Sequence, residues 1–324
     1  MPRLYIGFIA YGRSTSKYLP YFLKSISEQK FQDFKVLVVD NSSLEDRENM
    51  ELIEQYYPSA EIDRPGSNLG FAKAYNRLIA KASREGGELF LVINPDMILD
   101  KYALKNMINA IDSFGVDSVS PKILRWDFEN AKKTDIIDSC GIELLSGLRF
   151  VDIGQGKRDG EEFEKERKIL GPSGAAGMYK IKSLEKVAYI KENGDKEYFD
   201  ELMFMYKEDC DLAYRLYSAG CNSRYLPQAV VYHDRTASGR GQKNLEVARN
   251  RKNKSRQVKK WSFLNQQIIF MKHWRKQDVK NKFYIIWLEL KMLIFILIFE
   301  PYLFGQLKEL FFMRKNIKNK KVNS

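Results

Sequence analysis

Two aspartates in the first hundred residues stand where a ligand could be held. Asp40 ends the apolar run KVLVVD (35–40), and Asp96 follows the apolar run ELFLVIN (88–94). Such runs are typical of strands that are buried on both faces of a parallel sheet. Ligands bind beyond the carboxyl ends of strands in open α/β sheets. The sequence therefore predicts a ligand site near Asp40 and Asp96.

The two carboxylates suit different parts of a nucleotide. An ionised Asp40 only accepts hydrogen bonds, which fits contact with a nucleobase or ribose, although an Asp here can equally cap the next helix. Pro95 fixes the backbone before Asp96, and carboxylate oxygens together with substrate phosphates are the ligands that Mg²⁺ or Mn²⁺ takes. A simple Asn-Pro-Asp turn without a metal is the alternative.

A third acidic group opens a predicted helix in the pattern Glu208-Asp209-x-Asp211, with Arg215 four residues further on. Helical spacing places Glu208, Asp211 and Arg215 roughly along one face, so Asp209 points elsewhere. A carboxylate apart from the charged face is a candidate general base. The alternative is that the acidic residues only complement the helix dipole while Arg215 pairs on the surface.

Two further features could belong to the same site. His233 follows an apolar strand and could bind a metal through a neutral ring nitrogen, although an isolated histidine is more often structural. The run GPSGAAG (171–177) consists of small residues, which let the backbone approach a ligand or another chain segment closely.

These residues need a framework of alternating strands and helices. Besides the two runs above, Leu4–Ala10 is a predicted strand. Helical patterns lie around Tyr18–Gln29, Leu44–Tyr57 and Phe71–Arg84. Strands that alternate with helices in this way predict an α/β fold with a parallel sheet.

The positive charge lies in the last quarter of the chain. Residues 240–324 hold 21 Lys and Arg against 5 Asp and Glu, so they carry +16, while residues 1–239 carry −4. A basic segment on a near-neutral body predicts an anionic partner, either a membrane or a nucleic acid. Solvated helices are the alternative.

The apolar stretch Phe283–Phe304 lies within this basic region. It is interrupted by Glu289, Lys291 and Glu300, and its longest uncharged run, Met292–Phe299, has 8 residues. A spanning helix needs roughly 20. We therefore predict a helix that lies at a membrane interface rather than across it. A helix packed on the body or on another subunit is the alternative.

The compartment is predicted from the cysteines and the N-terminus. The three cysteines show neither the spacing of a disulfide framework nor that of a zinc site, which favours a reducing compartment. The apolar stretch at residues 4–12 lacks a small-residue cleavage site and is predicted as a buried strand. A cytoplasmic location is expected.

Taken together, the motifs resemble the inverting glycosyltransferases of family 2, within the rhamnosyltransferase-like branch. The resemblance extends over about residues 4–235 and follows the family's order: VVDNSS, RPGSNLGFAKAYN, INPDM, PSGAAGMY, FDELMFMYKEDCDLAYRLYSAG and LPQAVVYH. Several ordered motifs are far more specific than any one of them.

The resemblance implies an α/β fold of the GT-A type, a Rossmann-like mixed sheet flanked by helices. This domain would comprise residues 1–239, with a nucleotide-sugar half in 1–100 and an acceptor half in 101–239. Residues 240–324 would form a basic, partly amphipathic helical extension.

The resemblance also implies a role for each donor-side residue. Asp40 would contact the nucleoside base. Asn68, Gly70 and Phe71 would shape the nucleotide pocket.

The metal site follows from the same resemblance. Asp96 would be the metal-binding Asp of the family's D-x-D position, and Asn94 stands in place of the first Asp. His233 would be a further ligand of the divalent metal, Mg²⁺ or Mn²⁺.

On the acceptor side, the resemblance implies that Asp209 is the catalytic base. The residues expected to support the site are Glu208 and Arg215 beside it, and Gly174, Ala175 and Gly177 in an acceptor-side loop. Arg215 is expected to support the loop or the diphosphate.

The implied reaction moves a sugar, with rhamnose as the first candidate, from a nucleoside-diphosphate donor to a hydroxyl of a saccharide. The basic C-terminal region favours a lipid-linked acceptor at an anionic membrane face, in cell-surface polysaccharide biosynthesis. The protein would then be peripheral on the inner face of the cell membrane, as a monomer or a homo-oligomer, with no nucleic-acid partner.

Two other functions compete with this hypothesis. A metal-dependent nucleotidyltransferase would also place Asp residues after parallel strands, but it should carry a Gly-rich phosphate loop near the N-terminus, which residues 7–12 do not offer convincingly. A non-catalytic nucleic-acid-binding protein would explain the basic tail and leave the acidic motifs unexplained. The sequence does not fix the donor sugar, its base or the acceptor.

Overall fold

A ten-stranded sheet with helices on both faces organises residues 1–234, 255–320 and 322, the part of the chain that the computed structural model describes. The strands are β1 Leu4–Ala10, β2 Phe34–Asp40, β3 Glu61–Asp63, β4 Leu89–Ile93, β5 Met97–Leu99, β6 Ser118–Asp127, β7 Lys132–Ser139, β8 Ile142–Leu145, β9 Arg149–Asp152, β10 Arg167–Ile169, β11 Ala176–Lys180, β12 Tyr189–Ile190, β13 Lys196–Glu197 and β14 Ser223–His233. The α-helices are α1 Gly12–Ser16, α2 Leu19–Ser27, α3 Glu48–Tyr56, α4 Gly70–Arg84, α5 Ala103–Phe114, α6 Ile181–Lys186, α7 Glu208–Ser218, α8 Arg256–His273, α9 Val279–Phe299 and α10 Phe304–Asn319.

The sheet is parallel in its first half and mixed in its second. Its main path runs β10-β14-β6-β11-β4-β1-β2-β3, and β5 and β7 pair with β14 and β6. Strand β1 pairs in parallel with both β2 and β4, as the alternation of strands and helices predicts. Strand β11 then pairs antiparallel with β4 and joins the second half to the first. The predicted α/β fold with a mixed sheet is therefore confirmed.

Alternation along β1 explains how both faces are covered. Leu4, Ile6 and Phe8 are fully buried in one core cluster, which includes side chains from α2 and α5. Tyr5 points to the other face and joins a second cluster with side chains from α4, α6 and α7. A strand that is buried on both faces reads as one continuous apolar run, and this is the pattern that the sequence shows.

Helix α8 packs on the body of the protein. Leu264, Ile268 and Ile269 lie in a core cluster with Met203 and Tyr214 from the body. This part of the C-terminal region is therefore a helix packed on the body, whereas the alternative of a packed helix given above concerns residues 283–304. The expected domain boundary at 239/240 and the basic segment up to residue 254 lie outside the described residues.

Helix α9 is different, because of its 21 residues only Ile285 and Ile296 are buried. None of the helices in the described ranges combines the length and the apolar character needed to cross a membrane. Most of the apolar side chains of α9 therefore face outward.

Candidate active site

Strand pairing places Asp96 beside His233. The short strand β5, which follows Asp96, pairs antiparallel with the end of β14 so that Met97 lies opposite His233. The backbone N–H of Asp234 also donates to the carbonyl oxygen of Asp96 at 3.0 Å. As a result, His233 Nε2 lies 3.3 Å from Asp96 Oδ2.

A second carboxylate orients the imidazole of His233 through the other ring nitrogen, Nδ1. His233 Nδ1 lies 2.8 Å from Oδ2 of Asp138, a buried residue near the end of β7. A proton on Nδ1 leaves Nε2 free to act as a ligand, which is the arrangement that orients metal-binding histidines. Burial alone would lower the pKa of His233, but the charge of Asp96 and hydrogen bonds to Asp138 and Asp96 raise it to about 10. Surroundings that favour a proton at Nε2 also favour a metal cation there.

Asp96 carries an oxygen that no described residue satisfies. Its Oδ1 is buried and has no hydrogen-bond partner in the described part of the chain. An unpaired buried acceptor is costly, so a ligand is expected to satisfy it. No group of three or more His, Cys, Asp or Glu side chains among the described residues could hold a metal ion. Asp96 and His233 could supply two ligands to a divalent ion, and substrate oxygens would have to complete its shell.

Asp209 is the second residue of α7, and two backbone amides hold its carboxylate. Gly174 N donates to Oδ2 at 2.9 Å, and Cys210 N donates to Oδ1 at 2.8 Å. The side chain is half-buried. A carboxylate fixed in this way and still open on one side is suited to accept a proton from a bound hydroxyl.

The loop 171–177 connects the two carboxylate sites. Asn94 N donates to Ala175 O at 2.9 Å, next to the residue whose amide holds Asp209. A Cβ on Gly174 would lie 3.1 Å from Asp209 Oδ2, so a larger residue here would displace the carboxylate by a few tenths of an ångström. Gly177 packs against Pro172 in the same way, since its Cβ would lie 2.5 Å from Pro172 Cβ.

Glu208 lies next to Asp209 and is chemically distinct from it. Burial and the charge of Asp209 raise the pKa of Glu208 well above its usual range. Its Oε2 is buried and has no partner among the described residues. Glu208 therefore holds its proton more tightly than an exposed glutamate and is enclosed by protein, whereas the Asp209 carboxylate is half-buried and open on one side.

Arg215 lies inside the protein rather than on the surface. Its Nε donates to Asp211 Oδ2 at 2.9 Å, and its two Nη atoms donate to the carbonyl oxygens of Val187 and Tyr198. Only 1% of the Arg215 side chain is exposed. These contacts tie α7 to two loops and leave no guanidinium surface for a diphosphate.

Asp40 is fully buried at the end of β2. Oδ1 accepts from Ser42 N at 3.1 Å, and Oδ2 accepts from Arg64 Nε at 3.3 Å. The carboxylate thus fixes the turn after β2 and the side chain of Arg64. Contact with a nucleoside base stays a prediction.

The start of α4 carries the residues that are predicted to shape a nucleotide pocket. Asn68 Oδ1 accepts from Gly70 N at 2.8 Å. Gly70 has φ +73°, and a Cβ there would lie 2.5 Å from Phe204 O, so only glycine fits. Phe71 N donates to Phe204 O at 2.9 Å, and its ring packs on Tyr75 with centroids 4.5 Å apart.

Sequence reasoning missed three residues that hold the site. Asp138 orients His233, Arg64 pairs with Asp40, and the side-chain oxygen of Asn41 accepts from Leu69 N at 3.2 Å. Asn41 and Arg64 stand inside the quoted motifs VVDNSS and RPGSNLGFAKAYN, which was the available signal. Asp138 lies in no motif.

Comparison with known proteins identifies the family of this arrangement. Residues 5–188 match the family model described as Glycosyl transferase family 2. Two relatives from Mycobacterium tuberculosis, strains CDC 1551 / Oshkosh and ATCC 25618 / H37Rv, are named N-acetylglucosaminyl-diphospho-decaprenol L-rhamnosyltransferase. Each is 26% identical over 244 residues, which cover 71% of this chain and 76% of the relative.

Solved structures show the same fold. GalNAc-T7 with UDP, GalNAc and Mn²⁺ superposes with a TM-score of 0.54 at 11% identity, over 87% of this chain and 52% of its own. Residues 1–349 of S. aureus TarS in complex with UDP give a TM-score of 0.50 at 17% identity, over 83% of this chain and 80% of that one. The chain thus spans about half of the GalNAc-T7 chain. The predicted GT-A fold is confirmed.

The loop geometry predicts the effect of one added methyl group. In Gly174→Ala the new Cβ makes the Asp209 carboxylate move by a few tenths of an ångström, so kcat should fall several-fold, less than the about 10²-fold that a misplacement of 1 Å costs. Nucleotide affinity should stay unchanged. Steady-state kinetics and nucleotide titration measure the two effects.

Gly160→Ala is the matched control. A Cβ at Gly160 meets nothing within 4 Å, and its φ of −167° suits any residue. If Gly174→Ala keeps the kcat of Gly160→Ala, the close contact with Asp209 does not govern turnover.

Proposed function

The chain belongs to glycosyl transferase family 2, and from that membership we propose that it transfers a sugar, L-rhamnose first among the candidates, to a lipid-linked saccharide. The observation that carries this proposal is the loop 171–177, which bonds on one side to Asn94, two residues before Asp96, and on the other side to Asp209. The M. tuberculosis relatives are named as L-rhamnosyltransferases of an N-acetylglucosaminyl-diphospho-decaprenol, and this name supports both the sugar and the acceptor class. A role in cell-surface polysaccharide biosynthesis follows from that acceptor class.

The enzyme class decides between the competing functions. Membership of this family makes the chain a glycosyltransferase, and therefore neither a nucleotidyltransferase nor a non-catalytic nucleic-acid-binding protein. The UDP present in the TarS and GalNAc-T7 structures supports a nucleoside-diphosphate sugar as the donor class.

On the donor side, Asp96 and His233 would hold a divalent ion, Mg²⁺ or Mn²⁺. When bound, such an ion supplies positive charge that stabilises a leaving diphosphate. The Mn²⁺ in the GalNAc-T7 structure supports this choice. Asp138 keeps the imidazole of His233 turned toward the site.

The nucleoside part of the donor would lie between the end of β2 and the start of α4. Asp40 fixes the turn at one side of this pocket, and Asn68, Gly70 and Phe71 form the other. Because Gly70 has no side chain, the segment 203–207 can close over the pocket, with Phe204 O bound to Phe71 N.

On the acceptor side, Asp209 would take the proton from the attacking hydroxyl. The hydroxyl oxygen then forms a bond to the anomeric carbon while the bond to the diphosphate breaks on the opposite side, which inverts the configuration. The amides of Gly174 and Cys210 hold the carboxylate for this step. General-base assistance of this kind is worth about 10²- to 10⁴-fold in rate.

Two adjacent amide substitutions test the assignment of the base. Asp209→Asn removes the proton acceptor and should lower kcat by about 10²-fold or more, while affinity for the nucleoside diphosphate is kept. Glu208→Gln replaces a buried acid with a raised pKa by an amide of the same size, so its kcat should stay close to that of the wild type. The kcat of each variant is measured from the transfer of radiolabelled sugar to a lipid-linked acceptor.

Two results would contradict the assignment of Asp209 as the base. If Asp209→Asn turns over normally, Asp209 is not the base. If Glu208→Gln is inactive and Asp209→Asn is active, the base is Glu208 rather than Asp209.

We further propose that the enzyme works on the cytoplasmic face of an anionic membrane and is held there by α9. Seven apolar side chains, which we call the α9 stripe, recur at helical spacing and are each 49–67% exposed: Phe283, Ile286, Trp287, Leu290, Ile294, Leu297 and Ile298. Exposed apolar patches of this kind are typical of interaction sites. A lipid-linked acceptor would be presented at such a surface.

Charge favours a bilayer as the occupant of this surface. Exposed basic side chains lie on α9 and α10, at Lys280, Lys291, Lys308, Arg314, Lys315 and Lys318. Each basic residue near an anionic membrane contributes about 1 kcal/mol, so a few suffice for peripheral binding. The three cysteines are free thiols, in keeping with a reducing compartment.

Flotation with lipid vesicles tests the α9 stripe. Ile294→Asn combined with Leu297→Asn should abolish binding to vesicles of phosphatidylglycerol and phosphatidylcholine, because the inserted apolar area is lost. Tyr217→Asn, at an exposed aromatic residue on α7, is the control and should bind like the wild type. Wild-type binding should weaken in high salt, since exposed charges are screened.

Other outcomes overturn the membrane proposal. The stripe variants float as well as the wild type if the stripe is not the membrane contact. A wild-type dimer that the stripe variants convert to monomer in gel filtration would assign the surface to a second copy of the chain. Point variants are preferable to truncation, because α8 supplies Lys272 to the buried carboxylates of Asp200 and Asp211.

A further inference from the structure

The segment 203–207 lies between the two sides of the site. Phe204 O accepts from Phe71 N on the donor side, and the segment ends directly before α7, which carries Asp209. Tyr206 and Lys207 have φ values of +74° and +68°. Residues with a Cβ rarely adopt this left-handed backbone, and two in succession need support from their surroundings.

Asn265 in the middle of α8 supplies that support. Its Nδ2 donates to Met205 O at 2.9 Å and to Tyr206 O at 2.7 Å. The residue is 1% exposed, so water does not replace these bonds. One turn earlier, the ring of Trp261 packs on Phe204 with centroids 5.0 Å apart.

Helix α8 is anchored to the body at another point. Lys272 Nζ lies 2.6 Å from carboxylate oxygens of both Asp200 and Asp211, and His273 Nε2 lies 2.9 Å from Asp211 Oδ1. These charged contacts are buried at the far end of the helix from Trp261. Loss of Asn265 would therefore leave α8 in place and affect the segment that it holds.

We propose that Asn265 is a positioning residue, which fixes the left-handed turn at Tyr206 and Lys207 and thereby aims Asp209 at the acceptor. The C-terminal region then contributes to the chemistry, although it contains no residue of the proposed site. This inference rests on the proposed role of Asp209 as the base.

Two substitutions remove the bonds in different ways. Asn265→Ala deletes the amide, and Asn265→Asp keeps the size but cannot donate when ionised. Both should lower kcat at least about tenfold, in line with the sensitivity of turnover to small misplacements. Affinity for the nucleoside diphosphate should change by less than about twofold, because Trp261 still supports Phe204 and hence Phe71.

Gln266→Ala is the matched control on the same helix. Gln266 Nε2 donates to Leu148 O at 3.3 Å, and Leu148 also has a positive φ, of +50°, but it lies in the β8–β9 hairpin. The control loses the same kind of bond to the same kind of residue. Its thermal stability should fall less than that of Asn265→Ala, because one bond is lost rather than two, while its kcat stays at the wild-type value.

A double-mutant cycle separates positioning from simple support. If Asn265 acts through Asp209, Asn265→Ala should cost almost nothing in an Asp209→Asn background, because residues that act as a unit are not additive. Lys207→Gly should restore part of the kcat of Asn265→Ala, since glycine adopts a positive φ without steric cost.

Three results overturn the proposal. The first is an equal kcat for Asn265→Ala and Gln266→Ala. The second is a double variant in which the losses from Asn265→Ala and Asp209→Asn multiply. Either result reduces Asn265 to a structural role. In both cases a low kcat of Asp209→Asn alone leaves the proposed function intact. Normal turnover of Asp209→Asn would instead remove the base assignment, and the positioning role with it.

Discussion

The loop 171–177 is the constraint on which the site depends, because it bonds to both sides of the reaction centre through neighbouring backbone groups. Ala175 O accepts from Asn94 N beside Asp96, and Gly174 N donates to Asp209. A backbone can approach both partners so closely only where side chains are small or absent. The separation of the proposed metal ligand Asp96 from the proposed base Asp209 is thus constrained by a few atoms of main chain, and β11 extends this loop into the centre of the sheet.

Electrostatics divides the acidic residues into distinct roles. Asp138 is buried and bonded to His233, and Glu208 is buried with a raised pKa, so neither lies open to a substrate. Asp96 keeps a buried oxygen without a partner among the described residues, and Asp209 keeps an accessible carboxylate. These differences arise from burial and hydrogen bonding rather than from residue type, since all four are carboxylic acids.

Local pattern predicted the sheet and the ends of its strands, and long-range contacts explain what it missed. Continuous apolar runs indicated β1, β2 and β4, and Asp40 and Asp96 lie at strand ends as expected. Asp138 stands 95 positions from His233, and Asn265 stands 59 positions from Tyr206, so no local period reveals either contact. The apolar pattern of α9 indicated a surface helix. The packing of α8 under the segment 203–207 depends on tertiary contacts that a single sequence does not display.

The central claim is that one site binds a nucleoside diphosphate through a divalent ion held by Asp96. Thermal unfolding with UDP, dTDP and GDP, each with and without Mn²⁺ or Mg²⁺, measures it directly, because a ligand of the native state stabilises it by RT ln(1 + [L]/Kd). We expect one nucleotide to raise the Tm only when the metal is present, and we expect Asp96→Ala to lose this rise. A rise that needs no metal, one that Asp96→Ala keeps, or no rise with any of the three nucleotides would contradict the claim.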